Sequence, residues 1–232
     1  MTSRCPAVVA ILALALAGCR GDPRAEPGPA AAAPQASPRP SPVPDDRPVV
    51  LFVGTSLTAG LGLDPSEAFP ALLQEKIDAA GLRYRVVNAG VSGETSAGAR
   101  RRMGWLLRQP VAVLVVETGA NDGLRGQDPD ATRENIQAIL DEARRQAPPP
   151  RLVVAAMEAL PNYGQDYRRR FRALYPALAE KNGATLVPFL LEGVAGEPGL
   201  NQADGVHPTA EGQKVVAENV WRVLRPVLAT AR

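Results

Sequence analysis

The sequence predicts an α/β fold, a three-layer α/β/α sandwich around a parallel sheet of about five strands. Three observations lead there. Short apolar runs, rich in β-branched residues and bounded by Gly, Pro or Asn, recur along residues 48–232. Segments with helical spacing of apolar residues lie between them. The first run shows no polar alternation, as expected of a strand covered on both faces.

Taken in order, the first strand is Val49-Val50-Leu51-Phe52-Val53, cut off by Gly54. The others are Tyr84 to Val87, Val111 to Val116, Arg151 to Ala156 and Thr185 to Val187. Helical patterns are read at Ala68 to Ala80, at Thr95 to Arg108, and at Pro129 to Gln146, where Ile136, Ile139, Leu140 and Ala143 share a face. A last helix, Ala210 to Leu228, has Val216, Val220, Val223, Leu224 and Val227 on one side and Pro208-Thr209 at its entry. Strands that alternate with helices join through right-handed crossovers. Ligands of such sheets bind beyond the carboxyl ends of the strands.

The 232 residues are 45% hydrophobic and 22% charged, enough apolar surface for a real core. With a formal charge of +2, the runs Arg100-Arg101-Arg102 and Arg168-Arg169-Arg170 read as solvated helix faces, and no nucleic-acid partner is expected. At the N-terminus, Arg4 precedes the uncharged run Pro6 to Ala17, too short to span a bilayer and long enough for a signal-peptide core. The run ends in Leu16-Ala17-Gly18-Cys19, which resembles the lipobox of bacterial lipoproteins. That resemblance implies a signal peptide over residues 1–18 and lipidation of Cys19. Removal of Cys5 then leaves one cysteine, so no internal disulfide can form. From Arg20 to Pro48 there are nine prolines and six alanines, a composition that extends but does not fold. Residues 19–47 are therefore expected to be a lipidated cysteine with a Pro/Ala-rich linker, and residues 48–232 the folded domain. The implied location is exported and membrane-anchored, facing the periplasm or exterior. Arg20, not aspartate, follows the cysteine, which favours an outer membrane.

Four turns at the strand ends hold the chemistry. Gly54-Thr55-Ser56-Leu57-Thr58-Ala59-Gly60 puts Ser56 at the carboxyl edge after the first strand, where a nucleophile would sit. Asn88-Ala89-Gly90-Val91-Ser92-Gly93-Glu94-Thr95 and Glu117-Thr118-Gly119-Ala120-Asn121-Asp122-Gly123 bring backbone N–H groups and an amide to the same edge. Asp204-Gly205-Val206-His207-Pro208 lies near the end. His207 is the only histidine, so any serine mechanism needing a near-neutral base must use it. Asp204, three residues earlier, can accept the Nδ1 proton and leave Nε2 to face Ser56.

The blocks GTSLTAG, NAGVSGETS, GANDG and DGVHP resemble, in order, the four signature blocks of the SGNH/GDSL hydrolases, over nearly all of Val49 to Arg232. Leu160 to Gly164, Leu174 to Leu178 and Val187 to Phe189 are similar to the branch of bacterial periplasmic acyl-CoA thioesterases/lysophospholipases and arylesterases. The resemblance implies a flavodoxin-like sandwich and a catalytic set of Ser56, Asp204 and His207. It implies an oxyanion hole of Ser56 N–H, Gly93 N–H and the Asn121 carboxamide. Thr55 stands where the family has aspartate and Ala120 where this branch often has glycine, departures that bear on rate and specificity. No cofactor is expected, and one histidine with one mature cysteine cannot form a usual zinc site.

The function these readings imply is a serine esterase acting on short- to medium-chain carboxylic esters, including aryl esters, and on thioesters or lysophospholipids. A polysaccharide O-acetyl esterase and a non-catalytic envelope lipoprotein are the alternatives. The expected partners are a small-molecule acyl ester or thioester and, through Cys19, a membrane; oligomeric state is left open.

Overall fold

The computed structural model describes residues 45–230. The expected signal peptide, Cys19 and the linker up to residue 44 lie outside the described residues.

Strand β1 (Val49–Gly54) is buried throughout and is followed by the short helix α1 (Ser56–Ala59). Helix α2 (Phe69–Ala79) leads to β2 (Arg85–Gly90), and α3 (Ser96–Leu106) to β3 (Val113–Glu117). After β3 come α4 (Ala120–Leu124), α5 (Pro129–Ala143) and β4 (Arg151–Ala155). Then follow α6 (Gly164–Asn182), β5 (Thr185–Val187) and α7 (Ala210–Ala229). All five strands are parallel, in the order β2-β1-β3-β4-β5.

That order explains the layers. The crossover from β1 to β2 runs one way along the sheet and every later crossover runs the other way. A constant right-handed sense therefore places α2 on one face and α3, α5 and α6 on the opposite face. The packing agrees: α2 meets α7, while α3 meets α5 and α5 meets α6. The reversal between β1 and β3 opens a crevice at their carboxyl ends, the usual ligand position in doubly wound sheets. The sandwich anticipated from the sequence is thus present, with five strands.

The apolar content of β1, β3 and β4 follows from this cover, since their residues face helices on both sides. β2 is an edge strand and only partly buried. The expected faces of α5 and α7 are the buried ones, with Ile136, Ile139, Leu140 and Ala143 in the first and Val216, Val220 and Leu224 in the second. Caps set the helix starts: the Thr95 and Thr209 hydroxyls accept from Gly98 N–H and Gly212 N–H. β2 runs on to Gly90 and β3 to Glu117, beyond the runs read from sequence. The motif residues therefore begin inside the sheet.

Helix α6 stands where no helical period was read. Phe171, Leu174, Tyr175 and Leu178 form its buried stripe, and Pro176 sits inside it on an exposed position. Proline there removes one backbone donor, and the surrounding arginines dilute the apolar signal.

Candidate active site

Ser56 is the first residue of α1, just after β1, so a buried strand paired on both edges aims it. Thr55 caps that helix, and Gly60 ends it in a left-handed conformation. Ser56 is 8% exposed, open enough at the crevice for attack on a bound ligand.

Its hydroxyl lies 2.8 Å from His207 Nε2, and His207 Nδ1 lies 2.6 Å from Asp204 Oδ2. The other Asp204 oxygen accepts from Val206 N–H at 2.9 Å and His207 N–H at 3.0 Å. These contacts hold the Asp204 carboxyl well below the usual range: first the His207 backbone donor, then its ring, then Val206 N–H. Asp204 therefore remains a carboxylate, which favours the tautomer with hydrogen on Nδ1 and leaves Nε2 free to accept from Ser56.

The turn that carries both residues closes on itself. Asn201 and Pro208 form an antiparallel bridge, and Gln202 N–H donates to His207 O at 2.7 Å. The Gln202 amide then reaches Leu61 O at 2.7 Å and Pro208 O at 2.9 Å, joining this turn to the segment after Ser56. Gln213, buried in α7, accepts from Phe69 N–H at 2.9 Å and donates to Leu57 O at 3.2 Å. Gln202 thus ties the His207 turn to the segment after Ser56, and Gln213 ties α7 to the helix that begins with Ser56. Sequence reasoning did not find them; a buried glutamine on the apolar side of α7 was the available signal.

Gly93 and Asn121 follow β2 and β3, the two neighbours of β1. Gly93 has φ +76°, and a Cβ there would meet nothing within 4 Å. The glycine thus answers a backbone requirement, not a steric one. Among the described residues, neither Ser56 N–H nor Gly93 N–H is bonded to a backbone or side-chain acceptor outside regular elements. Both remain available to a ligand. Asn121 Nδ2 donates to Glu94 O at 3.0 Å, and Arg125 donates to Gly93 O at 3.1 Å. One amide hydrogen of Asn121 therefore fixes the side chain and the second is free. Ala120 begins α4 without a positive φ, so the missing glycine costs no strain.

Further groups hold these loops. Asp122, fully buried, accepts from Ser96 N–H at 2.8 Å and Ser96 Oγ at 2.5 Å, tying α4 to the start of α3. Glu94 pairs with Arg102 at 2.7 Å, and that guanidinium also reaches Gly54 O at 3.5 Å. Exposed apolar side chains crowd the loops at this edge, namely Leu61, Val91, Leu124, Leu160, Tyr163 and Val206. No group of three or more His, Cys, Asp or Glu able to hold a metal ion occurs among the described residues.

A doubly wound sheet with a serine, imidazole and carboxylate relay at its switch point defines a hydrolase that acts on ester bonds. Residues 52–215 match the GDSL-like Lipase/Acylhydrolase family, and the chain belongs to that family. Esterase TesA of Pseudomonas aeruginosa is 43% identical over 180 residues, covering 77% of this chain and 89% of its own. Thioesterase 1/protease 1/lysophospholipase L1 of Escherichia coli is 38% identical over 181 residues, covering 77% and 84%. The structure of the psychrotrophic esterase EstA from Pseudoalteromonas sp., inhibited by monoethylphosphonate, is 32% identical with TM-score 0.73, covering 78% of this chain and 99% of that one.

Proposed function

We propose that this chain hydrolyses short- to medium-chain carboxylic esters, aryl esters among them, through an acyl-enzyme on Ser56, with acyl thioesters and lysophospholipids as further substrates. The observation that carries this is the continuous relay from Ser56 Oγ through His207 to Asp204, at 2.8 Å and 2.6 Å. Ser56 Oγ adds to the carbonyl carbon as His207 Nε2 takes its proton, and the oxyanion meets Ser56 N–H, Gly93 N–H and the free Asn121 hydrogen. The tetrahedral adduct expels the alkoxide or thiolate, which leaves with the proton from Nε2. Water then enters, His207 takes its proton, and the acid is released with Ser56 restored. The apolar side chains around the crevice support an acyl chain over a bare acetyl group. The thioesterase and esterase relatives support the same range of leaving groups.

A series of nitrophenyl esters and acyl-CoAs of increasing chain length, read with labelling by a fluorophosphonate, tests the proposal. Turnover of short and medium acyl groups and labelling confined to Ser56 are expected. Absence of both in folded protein would reject it, and activity on acetylated glycans alone would replace it with the O-acetyl esterase reading.

We further propose that Cys19 carries the lipid anchor, with residues 19–47 as spacer and an outer-membrane destination. That reading rests on the composition of the segment, nine prolines and six alanines from Arg20 to Pro48. Cys19→Ser is expected to abolish lipid labelling and membrane retention in cells while esterase activity persists. Unchanged membrane retention of that variant would argue against the anchor.

A further inference from the structure

The turn that holds Ser56 rests on a carboxyl group from the neighbouring strand. Glu117 ends β3, is 1% exposed, and faces Gly54 in the register of β1. Thr55 N–H donates to its Oε2 at 2.9 Å, and the Thr58 hydroxyl donates to the same oxygen at 2.7 Å. The Thr55 hydroxyl lies 3.1 Å from both carboxyl oxygens. Residues on either side of Ser56 are therefore both bonded to Glu117. The fit is close: a Cβ on Gly54 would lie 2.7 Å from Oε2.

We propose that Glu117, as a carboxylate, is a positioning residue for the hydrolysis, holding the Thr55–Thr58 turn so that Ser56 Oγ meets His207 Nε2. The inference rests on the reading of Ser56 as nucleophile. Three donors converge on this group, and an ionised carboxyl is an acceptor only. Protonation places a fourth hydrogen among them, so one threonine hydroxyl must accept where it donated, and its own hydrogen is left without a partner in a site closed to water. The turn then loses a buried hydrogen bond next to the nucleophile.

The surroundings leave that equilibrium within reach of ordinary pH. Among the described residues, no basic side chain is bonded or salt-bridged to Glu117. Tyr175 on α6 is the other titratable group near it, and the Arg102–Glu94 pair touches the turn only through Gly54 O. The faces of β1 and β4 are apolar. Burial pushes the Glu117 carboxyl up to about 7 despite the threonine donors. The same contacts account for Thr55. An aspartate there would set a second buried carboxylate against Glu117, and only one of the two could stay ionised. Threonine supplies a donor instead.

The test is the pH dependence of kcat on a nitrophenyl ester, from about pH 5 to about pH 9, for the full chain and its Glu117→Gln and Thr55→Val variants. In the parent, proton uptake by Glu117 should add a step of about tenfold to the acid side of the kcat profile. Glu117→Gln keeps the shape but cannot ionise. It is expected to lower kcat about tenfold at pH 8, change KM little, and remove that step from the acid side. Thr55→Val, which removes one donor, should lower kcat and shift the acid limb, and it decides the matter if Glu117→Gln does not fold. Full kcat with an unchanged limb in a folded variant would overturn the positioning role. If Ser56→Ala retains turnover, the nucleophile reading itself has failed, and the two results are thereby distinguished.

Discussion

Ser56→Ala and His207→Ala should each lower kcat by on the order of 10⁴–10⁶, and the double variant should be little worse than either alone. The reason is geometric. The serine has no other base within reach, because His207 is the only histidine in the chain. Without the serine the imidazole has no nucleophile to activate, so removing both partners deletes one unit once. Asp204→Asn should fall in the same direction, since an amide cannot fix the Nδ1–H tautomer as the carboxylate does. Steady-state kinetics on a nitrophenyl ester read all four proteins, with circular dichroism to confirm folding. Near-normal turnover of His207→Ala at neutral pH would remove the relay from the mechanism.

Asn121→Ala should cost about 10²–10³ in kcat, or roughly 2.7–4 kcal/mol, with KM little altered. The carboxamide has one hydrogen committed to Glu94 O and one free, so its free donor is already oriented before a substrate arrives. Such a donor acts mainly on the oxyanion of the transition state, where charge is greatest. Asn121→Asp should be at least as damaging, because it sets a negative charge beside the one that develops. Fluorophosphonate labelling of Ser56 should persist in both, at a lower rate, since nucleophile and base are intact. An unchanged kcat in folded Asn121→Ala, on activated and unactivated esters alike, would return Asn121 to the structural task of holding Glu94.

The sheet and its edge chemistry were legible because both leave strong local marks. A strand covered on both faces must be continuously apolar, as β1 and β3 are, and turns that end such strands announce themselves through Gly and Asn. His207 stood out through its uniqueness. Helix α6 did not, because Pro176 interrupts the propensity that its buried stripe otherwise supports. Gln202, Gln213, Asp122 and Glu117 were invisible for a different reason. Each bonds to residues distant in sequence, such as Gln213 to Phe69 and Leu57 or Glu117 to Thr55, and a polar residue in an apolar context announces no partner. The departure at Thr55 was noticed from sequence, but its meaning required knowing that Glu117 lies opposite.

The self-closed turn between Asn201 and Pro208 divides the labour of the site unequally. Ser56, Gly93 and Asn121 follow three adjacent strands, whereas His207 and Asp204 share one six-residue excursion stitched at its neck. Their mutual geometry is a local property, independent of how the sheet twists. The imidazole and its carboxylate therefore travel as a cartridge, docked against the segment after Ser56 through the Gln202 side chain. Undocking would part His207 from Ser56 without disturbing the turns that carry Gly93 and Asn121.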